Sequence, residues 1–207
     1  MPVSALSSRE KDSIVYNERG PGRVVVRPFD ARRDSWERLT SLLHRAFAPL
    51  AGVGLHCQCA DQDAGATRER ARAGECFVSV CHGQVVGTMT LEPHAPDSPC
   101  EHYRRHGVAT LHQFAVEPSC QNKGVGRAML AFAARWAAAH GSMQLALDTP
   151  LPANHLLEYY RGQGFSLVDV VRFPGRGYDS AVFSRPTFAG WPASPLTRRT
   201  SGSRARK

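Results

Sequence analysis

The chain has 207 residues, of which 42% are hydrophobic, with 18 glycines and 14 prolines, which suits one globular domain with loose ends. Its net charge is +8, yet no apolar run can span a bilayer, because Arg135 interrupts the Ala-rich stretch 130–139. The start lacks the basic-then-apolar layout of a signal peptide, so a cytoplasmic protein is expected, and six cysteines in a chain this long do not make a small-domain disulfide framework.

Residues 1–22 show no hydrophobic periodicity and end in Gly20-Pro21-Gly22, a flexible N-terminal tail. A β-branched run at 24–29 predicts a first strand. Asp34-Ser35-Trp36-Glu37 has capping-box spacing, and Trp36, Leu39, Leu43, Ala46 and Phe47 follow as the buried stripe of a first helix. A Gly-, His- and Cys-rich loop over 49–65 leads to a short charged helix at 67–73. Its His56-Cys57-Gln58-Cys59, with Cys100, Glu101, His102 and His106 further on, holds zinc-type ligands but lacks paired C-x₂-C spacing, so no metal is expected. Apolar runs at 76–81 and 84–91 flank His82-Gly83, a hairpin. After a polar loop, 111–116 is the next strand.

Gln121-Asn122-Lys123-Gly124-Val125-Gly126 then opens a helix over 124–140, which buries Val125, Met129, Phe132 and Trp136 at helical spacing. Two glycines leading into a helix start bring bare N–H groups together as an anion site. A Walker loop needs lysine after the second glycine, whereas here Lys123 precedes Gly124. A dinucleotide fingerprint needs Gly or Ala at 129, where Met129 stands, and it needs glycines nearer the strand than the stretch 117–123 allows. Asp148 does sit where a ribose-binding acid could. An apolar strand at 143–147, a helix at 154–163, and strands at 165–173 and 181–184 complete the chain, with no internal repeat. Strand 111–116, helix 124–140 and strand 143–147 form one βαβ unit, whose crossover is right-handed by rule.

The pattern Gln-x-x-Gly-x-Gly resembles the acyl-CoA pyrophosphate loop of the GCN5-related N-acetyltransferase (GNAT) family. Tyr160-Arg161-Gly162-Gln163-Gly164-Phe165 is similar to that family's Tyr-x-x-x-Gly-Phe, and the strand ending in Glu117-Pro118 resembles its entry to the phosphate loop. The likeness covers about residues 24–188. It implies an α/β (α+β type) fold, a mixed sheet of about seven strands flanked by about four helices, as one domain over 23–188. Ala153 stands where the family often carries asparagine, with Asn154 one position later.

The resemblance implies that acetyl-CoA is the cosubstrate and lies between strands 111–116 and 143–147. Phe114, Ala115 and Val116 would pair with its pantetheine arm. Gln121, Asn122, Lys123, Gly124, Val125, Gly126 and Arg127 would take the pyrophosphate, with Asn154 as a further contact. An acetyl group would then pass to a primary amine of a small molecule by direct attack on the thioester. Tyr160 is the candidate general acid for the leaving sulfur, its alternative being simple packing. His112, on one face with Phe114 and Val116 by strand alternation, is the candidate base. Glu117 is its rival, and water is the third choice.

Two other functions stay open: acetylation of a protein N-terminus or lysine, and a non-catalytic acyl-CoA-binding module with a nucleic-acid-contacting tail. The latter would use the tail 189–207, where Arg198, Arg199, Arg204, Arg206 and Lys207 lie among no acids after Pro192. Such a tail is expected to be flexible, without specific nucleic-acid recognition or membrane partner. A homodimer is compatible with this reading.

Overall fold

A computed structural model describes residues 13–15 and 24–187. Among these residues eight strands form one mixed sheet in the order β1-β2-β3-β4-β5-β6-β8-β7. They are β1 (Ser13–Val15), β2 (Val24–Pro28), β3 (Glu75–Cys81), β4 (Gln84–Glu92), β5 (Val108–Val116), β6 (Gln144–Pro150), β7 (Ser166–Val171) and β8 (Ser180–Pro186). The four helices are α1 (Trp36–Ala51), α2 (Ala64–Ala71), α3 (Val125–Ala139) and α4 (Asn154–Gly162). Strand β1 falls inside the stretch expected to be tail, and it pairs antiparallel with β2. The rest of that stretch, and the basic tail 189–207, lie outside the described residues.

Ser35, not Asp34, caps α1: its hydroxyl accepts from the Arg38 N–H, a contact of the kind that contributes about 1 kcal/mol. Asp34 is instead held by the Arg27 guanidinium at 2.6 Å and 2.8 Å. Helices α3 and α4 cover one face of the sheet. Val125, Met129, Phe132 and Trp136 pack there on Phe77, Leu111 and Leu145, as the helical spacing required. Helix α1 covers the other face, where Leu42 and Leu43 meet Ala115 and Cys59.

Every strand pair is antiparallel except β5 and β6. Those two are paired in parallel only at Val108–Gln144, Ala109–Leu145 and Thr110–Ala146, and then part. A bulge beside this fork changes the facing of β5. Thr88 pairs with Ala115 and Thr90 with His112, so Met89 alone opposes both Gln113 and Phe114. Gln113 absorbs the extra residue with φ of 48°. Simple alternation, which set His112 on one face with Phe114 and Val116, therefore fails. Phe114 and Val116 pack on the α3 side. His112 lies edge-on to Tyr103, which clusters with Ala146 and Val182 on the opposite face.

Candidate active site

Where β5 and β6 part, a cavity of about 490 Å³ opens. It is walled by both strands, by the loop before α3, by one face of α4, and by the segment between α1 and α2. The sequence puts a polar helix start at one wall and titratable side chains at the others.

The helix start is α3. Gly124 is its N-cap, with φ of 82°, and it contributes no side-chain cap. Asn122 is also left-handed, with φ of 58°. The first intrahelical bond runs from the Ala128 N–H to the Gly124 carbonyl, so the amides of Val125 and Gly126 have no carbonyl one turn back. The aligned peptide dipoles add roughly half a positive charge there. Gly126 leaves room that a side chain would close, since an added Cβ would lie 2.7 Å from the Tyr159 hydroxyl. Gln121 braces the turn, its Nε2 donating to the Val116 carbonyl at 3.1 Å.

Of the residues singled out from sequence, Phe114, Ala115, Val116, Gln121, Asn122 and Gly126 line the cavity, with His112 and Tyr160. Lys123, Gly124, Val125 and Arg127 form the turn and helix start without lining it, and Asn154 begins α4 outside it. Glu117 is also outside, its carboxylate engaged by the Arg45 guanidinium of α1 at 2.8 Å.

Tyr160 is 8% exposed, packed among Tyr159, Phe165 and Phe183. Burial pushes its phenol far above the usual range, so the hydroxyl keeps its proton. Tyr159 lines the cavity too, and burial pushes its hydroxyl up to about 12.

His112 Nε2 meets Thr110 Oγ1 at 2.9 Å, and Glu92 Oε2 lies at 3.7 Å from the same nitrogen. Thr110 donates to that carboxylate at 3.5 Å. The tautomer that completes the chain has Nε2–H donating to Thr110, which leaves Nδ1 a lone pair. Desolvation lowers the imidazole pKa, with Asp148 opposing and Arg70 and Arg176 assisting. Neutral imidazole therefore prevails at pH 7.

Further residues line the cavity that pattern reasoning gave no role there. Asp148 accepts from Tyr103 Oη at 3.2 Å and from Arg176, which also donates to Ser180 Oγ at 2.8 Å. Cys57, Cys59, Arg70 and Tyr178 complete that wall. Cys59 is drawn toward the thiolate by its hydrogen bond to Cys57 and by Arg70 and Arg176. Cys100 packs elsewhere, with Tyr103 and Val108, and among the described residues no group of three or more ligand-type side chains could hold a metal.

A model of the acetyltransferase (GNAT) family matches residues 36–165. An S-(2-succino)cysteine N-acetyltransferase of Bacillus subtilis (strain 168) is 29% identical over 94 residues, which is 45% of this chain and 54% of the relative. The match thus spans about half the length of that curated relative. Among solved structures, the GNAT domain of S. lividans PAT aligns with a TM-score of 0.63 at 15% identity, covering 87% of this chain and 99% of that one. A Bacillus subtilis acetyltransferase in complex with CoA aligns at 0.56 and 17% identity, covering 78% and 97%. At these identities the solved structures establish a shared fold.

Proposed function

The chain belongs to the acetyltransferase (GNAT) family, and from that membership we propose that it moves an acetyl group from acetyl-CoA directly to a primary amine of a small molecule. The observation that carries the reading is one cavity holding an uncapped helix start, a forked strand edge, a neutral histidine and a protonated tyrosine. The relative named above acts, by its name, on an amino-acid derivative, which supports a small acceptor over a protein.

Each residue then has a task. The amides of residues 121–127, with the helix dipole, take the pyrophosphate. The exposed edge of β5 at 114–116 pairs with the pantetheine arm, and one of its N–H groups polarises the thioester carbonyl. His112 Nδ1 takes a proton from the acceptor's ammonium, directly or through one water, and the neutral amine then attacks the thioester carbon. Tyr160 gives its proton to the sulfur as the carbon–sulfur bond breaks. Arg45 already engages the Glu117 carboxylate, which favours His112 over Glu117 as base.

The test is a broad amine screen with detection of free CoA thiol, including peptides with a free N-terminus or an internal lysine. Turnover on small amines alone supports the reading. Efficient turnover on peptides alone replaces it with a protein acetyltransferase, and donor binding without any turnover replaces it with a binding module.

A further inference from the structure

The cavity holds two arginines in different electrostatic circumstances. Arg176 is matched by Asp148. Arg70, on α2, makes no ion pair among the described residues, although it is half-buried in the cavity wall. Its contacts are with an amide and a thiol sulfur, not a carboxylate: Nη1 donates to Gln62 Oε1 at 2.5 Å and to Cys59 Sγ at 3.2 Å. Both use a single nitrogen, so the Nε–Nη2 edge of the fork remains for another partner.

The support behind Arg70 is a buried hydrogen-bond network. Gln62 is 8% exposed, and its Nε2 donates to Thr67 Oγ1 at 2.7 Å and to Gln113 Oε1 at 3.1 Å. Thr67 is fully buried and accepts from Thr40 Oγ1 at 2.7 Å. Gln113 is the bulge residue of β5, next to His112, so the network ties the guanidinium to the strand that forms the site. With Asp148 and Arg176 matched, Arg70 is the lining guanidinium that has no carboxylate partner among the described residues.

A half-buried cation without a carboxylate partner loses hydration that an amide and a sulfur contact restore only in part. A planar carboxylate offered to the open edge of the fork would restore it through two charge-assisted hydrogen bonds. We propose that the acceptor amine carries a carboxylate, as in an amino acid or a derivative of one, and that Arg70 binds that carboxylate. The proposal rests on the acetyl-transfer reading above. Arg70 then fixes the acceptor on the His112 side of the sheet, and it is a specificity residue without a part in the chemistry.

The test compares matched acceptors, each amino acid against its carboxamide and its decarboxylated amine, in the full-length wild type, Arg70→Gln and Arg70→Lys. Wild type is expected to favour the carboxylate member by roughly 10- to 100-fold in kcat/KM. Arg70→Gln should collapse that ratio to within a few-fold, chiefly by raising KM, and Arg70→Lys should recover part of it. An Arg70 that only braces Cys59 and Gln62 would lower all members together and keep the ratio, which overturns the proposal. Equal wild-type turnover of carboxylates and neutral amines refutes the carboxylate but leaves acetyl transfer standing. No thiol release from any acceptor refutes acetyl transfer to small amines, and the proposal with it.

Discussion

Tyr160 and Tyr159 both line the cavity, and their chemistry separates them better than their positions do. Tyr160→Phe removes only the hydroxyl from a packed ring, so a general-acid role predicts kcat reduced by about 10²-fold with donor affinity kept. Steady-state kinetics with acetyl-CoA varied checks this, and near-normal kcat would make Tyr160 a packing residue. Tyr159→Phe is expected to change the KM for the donor instead, because its hydroxyl lies against Gly126. For His112 the sign follows from burial. Its pKa is lowered, so the neutral base persists below the ordinary value of about 6.5 and the acid limb of kcat/KM lies under that pH. His112→Gln should abolish that limb; a limb unchanged in the variant would assign it to another group. Tyr160 was legible because its motif is local in sequence. The pair of Asp148 with Arg176, and the Tyr103 hydroxyl beside them, were not, because those residues stand 28 and 45 positions from Asp148 and meet only through the sheet order.

The helices and strands of the βαβ unit followed from periodicity: α3 buries the four residues its spacing selected, and β6 lies between β5 and β8 with Leu145, Ala146 and Leu147 all buried. The bulge in β5 was not legible. One extra residue shifts facing without altering composition, and Gln113 carries no marker for a positive φ. That shift is what separates His112 from Phe114. The fit of the glycine loop against α4 can be tested as an element. Gly126→Ala puts a methyl 2.7 Å from Tyr159 Oη and under 4 Å from Phe114 and Val116, an overpacking expected to cost about 1–3 kcal/mol of stability and to weaken CoA binding. In a Tyr159→Phe background the same substitution should cost less, giving a coupling of at least about 0.5 kcal/mol in a double-mutant cycle. Strict additivity would show that loop and helix do not share this contact.

For the molecule as a whole, the cavity draws its lining among the described residues from positions between 46 and 178, which the sheet order brings together. Removing residues 189–207 is expected to leave kcat/KM on a small amine unchanged; loss of activity with the melting temperature preserved would place the tail in the site. Acetyl-CoA should raise the melting temperature in proportion to ln(1 + [L]/Kd), well above the effect of NAD or ATP at equal concentration. A larger shift with NAD would reinstate the dinucleotide reading of the glycine loop. Direct transfer within one cavity is tested most sharply by single turnover, with protein in excess over acetyl-CoA and the acceptor either present or withheld. Without acceptor, no CoA thiol should appear and the protein should gain no mass; with it, one thiol and one acetylated amine should form per donor. A burst of thiol before acceptor is added, with acetyl found on Cys59 or Cys57, would contradict direct attack and make the reaction a relay through the enzyme.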